Sequence, residues 1–314
     1  GSDVTFTDDN SLKTYYTIEV VSGSLNECST LSYEIDNSTF DCSMLGANTV
    51  TLTVTDTSGN SDSCTATVTV EDNTNPIANC VSPFTIALDA TGNASITAAD
   101  INNGSTDNCG IDTTAIDITD FDCTMIGANT VTLTVTDASG NTDTCSTTVI
   151  IEDNTAPTPD QTTITLVADQ CEILVTDITA PTATDNCGGT VTVTNDATFP
   201  ITAQGTTVIT WSYEDVNGNI STQTQNVIID DITAPVADQA TLADITAECE
   251  VLATDVTAPT ATDNCGGTVT VTNDATFPIT TQGTTVITWS YEDVNGNIST
   301  QTQNIVIDDL TAPV

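Results

Sequence analysis

The sequence has no histidine and no arginine, and Lys13 is its single basic side chain against 44 acids in 314 residues. Each absence excludes something. A net charge of −43 repels nucleic acid and anionic membrane surfaces, so no nucleic-acid partner is expected. With no histidine, and no C-x-x-C pair among eleven cysteines, zinc sites and thioredoxin-like redox chemistry lack their motifs. No apolar run approaches the roughly 20 residues needed to cross a bilayer, so direct membrane insertion is not expected. No signal peptide is visible. Catalysis without histidine or arginine would be left to carboxylates, as in glycoside hydrolysis. The acids recur in turns and linkers of every repeat, a poor way to build one catalytic pair, and the chain is read as not an enzyme.

What remains is acid and cysteine. Two carboxylates 4 Å apart repel by about 4 kcal/mol at an effective dielectric near 20. With almost no bases to pair with, clustered acids need water, distance or a metal ion. Calcium, which takes many hard oxygen ligands, is the expected cofactor. The cysteines point to structural disulfides formed in an oxidising compartment, outside the cell or on its surface.

The chain repeats itself. EDNTAP at 152–157 has relatives EDNTNP at 71–76, DDITAP at 230–235 and DDLTAP at 308–313. Pro76 and Pro157 lie 81 residues apart, and Pro157 and Pro235 lie 78 apart. Cys28, Cys42 and Cys64 recur 81 residues later as Cys109, Cys123 and Cys145. Residues 181–236 and 259–314 differ at only four of 56 positions. Such self-similarity predicts an array of like modules, with boundaries 1–75, 76–156, 157–234 and 235–314.

Each module reads as all-β. In NTVTLTVTD (129–137), Val131, Leu133 and Val135 alternate with threonine, the period-2 signature of a half-buried strand. Ile209, Trp211 and Tyr213 take these places one module later, and Ile287, Trp289 and Tyr291 after that. Asn217-Gly218 signals a hairpin. About seven short strands in 80 residues predict a small immunoglobulin-like β-sandwich. The fold class is therefore an elongated tandem array of four such domains, reaching about 150 Å if strands of this length stand end to end. Cores this small are expected to lean on disulfides.

Proximity in sequence suggests the pairs Cys28–Cys42, Cys109–Cys123, Cys171–Cys187 and Cys249–Cys265, with Cys80–Cys145 tying a module's first strand to its last. Cys64 is left single. Its expected partner would fall 81 residues before Cys80, ahead of residue 1, which suggests a longer parent chain.

In immunoglobulin topology the last strand delivers the doubled acid to one end of a module, where the next module presents its TDNCG loop and its D-x-x-G-N hairpin. Three acidic sets are expected to bind calcium. They are Glu71, Asp72, Asp107, Asp137 and Asn141; Glu152, Asp153, Asp185, Asp215 and Asn217, with Asn219 beside them in the hairpin; and Asp230, Asp231, Asp263, Asp293 and Asn295. Three or four carboxylates plus carbonyls could supply six to eight oxygens. The alternatives stand beside this. D-x-x-G-N is a hairpin turn in its own right, TDNCG can simply cap a turn beside a disulfide, and the doubled acid can be a solvated joint.

The stretches PTATDNCGG, FPITAQGTTVITWSYEDVNGN and VIIDDITAP resemble the HYR (hyalin repeat) module, an immunoglobulin-like adhesion domain. STDNCGI with FDCTMIGANTVTLTVTDASGN is similar to tandem repeats of surface adhesins from gliding bacteria, exported by the type 9 pathway. The resemblance covers nearly the whole chain after about residue 28. Unit one departs from it, with Asn26-Glu27 before the cysteine. It implies a secreted or surface-attached adhesin or filament made of many modules.

Two functions follow. One is a structural stalk or filament segment, rigidified by calcium and disulfides, whose partners are neighbouring repeats of a longer chain and other copies in a fibre. The other is an adhesive module for a glycan or cell-surface ligand.

Overall fold

The structure, a computed structural model, describes residues 13–15 and 30–311. Cys28 lies outside the described residues. The chain divides into two compact units, Gly1–Thr155 and Ala156–Val314.

In the first unit, one four-stranded sheet runs Lys13–Tyr15, Ser61–Glu71, Gly46–Thr55, Ser32–Ile35, and a second runs Phe84–Ala87, Thr142–Glu152, Gly127–Asp137, Ile111–Ile116. A small ladder of Asn93–Ser95 with Asp120–Asp122 accompanies the second sheet. The other unit repeats the plan twice. Its sheets run Val167–Asp169, Ile220–Ile229, Gly205–Glu214, Thr192–Asn195 and Ile245–Ala247, Ile298–Ile307, Gly283–Glu292, Thr270–Asn273. In three of the four sheets the short first strand lies parallel to the last one. In the remaining sheet Lys13–Tyr15 is antiparallel, with Lys13 opposite Glu71. The chain is all-β and immunoglobulin-like.

The long hairpins organise each sheet, and the alternation explains them. Val131, Leu133 and Val135 are fully buried, while the threonines between them are only partly covered. Ile209, Trp211 and Tyr213 form the centre of one core in the second unit, and Ile287, Trp289 and Tyr291 that of the other. At the hairpin tips Asp215 Oδ1 accepts the N–H groups of Asn217 and Asn219 at 2.8 and 2.9 Å, and Gly218 takes a φ of +88° that a side chain would strain.

Aromatic polar tips need partners once buried, and glutamines provide them. Trp211 Nε1 donates to Gln225 Oε1 at 2.9 Å, and Gln225 Nε2 donates to the Thr165 carbonyl at 2.8 Å. One step along, Tyr213 Oη donates to Gln223 Oε1 and Gln223 Nε2 to the Gln161 carbonyl. Gln223 stands 78 residues after Cys145, so this amide ties the module's first segment to its last strand where the preceding repeat uses the Cys80–Cys145 bond. Gln225 is buried, so Gln225→Ala would orphan an indole N–H and a carbonyl together. Chemical denaturation should register a loss of about 2–4 kcal/mol in the second unit.

Below the hairpins a repeated pin holds the turn into the long strand. Asp36, Asp196 and Asp274 accept the backbone N–H of Thr51, Thr210 and Thr288 at 2.7–2.8 Å. That bond holds each carboxyl below the usual aspartate value. Because the folded pKa is depressed, the stabilisation is present above the unfolded value of about 3.9 and is lost as pH falls through the folded value. The stability gap between wild type and Asp196→Ala should therefore close as thermal melts move below about pH 4.

The cysteines pair differently from the expectation in all but one case. Cys80–Cys145 forms as expected. Cys109 bonds to Cys42 rather than Cys123, and Cys171 bonds to Cys265 rather than Cys187. Cys42 is thereby not available to Cys28, and Cys249 is free and exposed rather than joined to Cys265. Cys123 and Cys187 are disulfide-bonded too. Cys64 is free and exposed. The physical reason is strand length. Between Cys109 and Cys123 the chain runs out along Ile111–Ile116, so the first cysteine lies beside the hairpin tip at Asp137 and the second beside Gly127. The 11-residue strand between those points spans roughly 35 Å, far beyond the 7 Å limit for Cα atoms of a disulfide. Cys109 instead meets Cys42 of the preceding repeat.

Candidate metal centre

The doubled acid enters the site by strand phase. Along Ser61–Glu71, Val68 and Val70 point inward, so Asp72 continues the inward row while Glu71 faces out. Val149 and Ile151 place Asp153 in the same way, and Val227 and Ile229 place Asp231. Asp72, Asp153 and Asp231 are buried; Glu71, Glu152 and Asp230 are exposed and outside the clusters. The D-x-T spacing then closes an Asx turn: Asp72, Asp153 and Asp231 each accept, through Oδ1, the N–H two residues on, at 3.0–3.1 Å. In the second unit the linker prolines are held as well, since Ser221 and Ser299 hydroxyls donate to the carbonyls of Pro157 and Pro235.

In the first unit, carboxylate oxygens of Asp72, Asp107 and Asp137 lie within 4.8 Å of one another. Asp107 Oδ2 accepts the N–H groups of Cys109 and Gly110 at 2.7 and 2.9 Å, which locks the loop that carries it. Asp137 Oδ1 accepts Ser139 and Asn141 N–H. The inner oxygens, Asp72 Oδ2 and Asp107 Oδ1, are buried with no hydrogen-bond partner. Each pair of charges at that distance repels by about 3.5 kcal/mol at an effective dielectric near 20.

The second unit repeats this chemistry. Asp231, Asp263 and Cys265 converge within the same 4.8 Å, and Asp231 Oδ2 and Asp263 Oδ1 are again buried and unpartnered. Asp263 Oδ2 accepts the Cys265 N–H at 2.9 Å. Cys265 Sγ is spent in the bond to Cys171, so it offers no thiolate. The donors left are hard oxygens, which suit calcium and not a soft metal.

Asn141 plays a part other than the expected oxygen ligand. Its amide nitrogen donates to the Asp72 carbonyl at 3.0 Å and to Asp137 Oδ2 at 2.7 Å, strapping the linker to the hairpin tip. Asn297 does the same for Asp231 and Asp293, at 2.9 Å each. Asn217 and Asn295 are exposed turn residues whose backbone N–H groups serve Asp215 and Asp293. Sequence reasoning missed Asn297, although it follows from Asn141 by two steps of 78 residues. Burial raises the carboxyl pKa of Asp137, Asp215 and Asp293, but bonds from Asn141, Asn219 and Asn297 and from the turn N–H groups outweigh it and hold each below the usual value. Of the middle set, Asp153 belongs to the first unit and Asp185 and Asp215 to the second, and all three are buried.

The family model "HYR-like domain with 4 cysteines" matches residues 154–229 and 234–307. Each matched segment carries two cysteines here, and the repeat before them carries four. Hyalin of Lytechinus variegatus is 33% identical over 292 residues, covering 85% of this chain and 54% of the relative. Hyalin of Strongylocentrotus purpuratus is 34% identical over 292 residues, covering 86% and 24%. The chain thus spans about half the length of one curated relative and a quarter of the other. Among solved structures, immunoglobulin domains 1–5 of Sidekick-1 align over 96% of this chain and 78% of theirs at 8% identity and a TM-score of 0.34. Cadherin domains 1–4 of protocadherin gamma B7 align over 89% and 92% at 10% identity, also with 0.34.

Proposed function

We propose that this chain, HYR-like in its second unit and alignable with hyalins along most of its length, is a structural segment of an extracellular adhesion array. Its modules are 1–75, 76–156, 157–234 and 235–314. Calcium held by the linker acid and the D-N-C-G acid braces neighbouring modules, and disulfides supplement the small cores. The observation that carries this is the buried, unpartnered oxygen pair Asp72 Oδ2 and Asp107 Oδ1, repeated as Asp231 Oδ2 and Asp263 Oδ1. Native proteins seldom leave charged oxygens buried and unsatisfied, and the pair in the second unit, which contains no lysine, arginine or histidine, calls for a cation. Bound calcium would supply positive charge; Asp72, Asp107 and Asp137 would hold it in the first unit, and Asp231, Asp263 and Asp293 in the second.

The recurrence of one site from repeat to repeat favours a spacer or stalk, which needs regularity more than individuality. It speaks against an enzyme. Disulfides support an extracellular or cell-surface location. The likeness of STDNCGI and FDCTMIGANTVTLTVTDASGN to repeats of gliding-bacterial adhesins supports export by the type 9 pathway and assembly with further repeats. Calorimetric titration of the intact chain tests the reading. Calcium uptake is expected by about 1 mM, the range of extracellular modules, and Asp72→Asn with Asp107→Asn should remove one site. No heat of binding at that concentration would overturn it. A glycan array run on the same protein separates stalk from adhesive module, since saturable binding to one glycan would assign the adhesive role.

A further inference from the structure

The two disulfides Cys42–Cys109 and Cys171–Cys265 follow one pattern: each joins the far end of one repeat to the D-N-C-G turn of the next. Around Cys171 that far end has a defined frame. Gln204 donates to the Gln170 carbonyl at 3.3 Å and accepts the Asp231 N–H at 3.1 Å, while Thr233 Oγ1 donates to Gln170 Oε1 at 2.5 Å. The same frame stands around Cys249. Gln282 donates to the Glu248 carbonyl at 3.4 Å and accepts the Asp309 N–H at 3.2 Å, and Thr311 Oγ1 donates to Glu248 Oε2 at 3.1 Å.

Only the cover differs. Cys171 is bonded and Asp231 is buried, with Asn297 of the next repeat on its carbonyl. Cys249 is free and exposed, and Asp309 is exposed. Cys249 cannot be satisfied by Cys265 of its own repeat. It follows Ile245–Ala247, which pairs with the Ile305–Ile307 end of the last strand, whereas Cys265 adjoins Gly267, which lies against Val294 at the hairpin tip. The ten-residue strands between those ends span about 30 Å.

We propose that Cys249 and Asp309 form an open docking face for a module that follows in series and carries a D-N-C-G turn, whose cysteine closes a disulfide on Cys249. The occupant is identified by the repeat: the equivalent face one module earlier already holds such a turn. The oxidant is a small-molecule disulfide. The Cys249 thiolate attacks one of its sulfurs and expels a thiolate. The turn cysteine, as thiolate, then attacks Cys249 Sγ and expels the second. The two electrons leave with the oxidant, now two thiols, which carry the two cysteine protons.

The test extends the full chain after Val314 with a second copy of residues 237–314, oxidised with glutathione disulfide and mapped by mass spectrometry. A cross-link between Cys249 and the added D-N-C-G cysteine is expected, with loss of Cys249 alkylation and retention of a reactive thiol at the added copy of Cys249. Continued alkylation of Cys249 beside a folded added module, read by its tryptophan fluorescence, would overturn the proposal. The 314-residue chain provides a second arm that needs no added module. In Cys171→Ser, both Cys249 and Cys265 should react with alkylating agent, and a Cys249–Cys265 bond instead would overturn the proposal by showing that one module can close on itself.

Discussion

Loss of the Cys171–Cys265 bond, by the double substitution Cys171→Ser/Cys265→Ser, should cost the second unit about 4–5 kcal/mol in the chain-entropy account. The bond closes a loop of 94 residues, long enough for the logarithmic term to reach the upper part of its range. For a unit of this size the loss corresponds to a fall in Tm of about 10 °C or more. Cys249→Ser is the matched control. That thiol is exposed and unbonded, so its removal should leave the melt unchanged. A double variant that melts with wild type would mean that contacts between the two repeats hold without the bond. The comparison therefore measures how far the array depends on covalent closure between modules.

That dependence was hidden in the sequence for an identifiable reason. The strands themselves were legible: Val131, Leu133 and Val135 sit on one face because a period of two leaves them no other arrangement, and their burial follows. The convergence of Asp72, Asp107 and Asp137 was legible because the linker, the D-N-C-G turn and the hairpin tip recur as a set. The inward member of each doubled acid could have been read from the same phase, since Asp72 lies two residues beyond Val70 and four beyond Val68. Disulfide partners are a different matter. Cys109 and Cys123 are close in sequence, but an extended chain separates them by the length of a module, and only a topology brings Cys42 to Cys109. Asn141 and Asn297 were obscured by chemistry rather than position. An amide offers both a donor and an acceptor, and only the surroundings of the Asp72 and Asp231 carbonyls select the nitrogen.

Asparagine in place of Asp231 should invert its effect with calcium. In chelator, the variant removes one of two buried charges facing each other within 4.8 Å, a repulsion of about 3.5 kcal/mol at an effective dielectric near 20. The new carboxamide keeps the bond its oxygen accepts from the Thr233 N–H and can donate to the unpartnered Asp263 Oδ1. The calcium-free variant should accordingly be more stable than wild type, by about 1–2 kcal/mol once screening and relaxation are allowed for. With calcium at a hundred times its dissociation constant, wild type gains about 2.7 kcal/mol from binding at one site. The variant, short of a charged ligand, gains next to nothing at that concentration, and the order of stabilities reverses. Paired melts with and without chelator read both signs in one experiment. A stabilising charge substitution that also made the metal stronger would contradict the electrostatic account. So would a wild type already more stable than the variant in chelator, because its carboxylates would then have found their compensation within the protein. The inversion separates a cation site from a turn that merely uses aspartate as a cap: a cap loses stability with the substitution at every calcium concentration, whereas a site strained by its own charge loses it only when the ion is present.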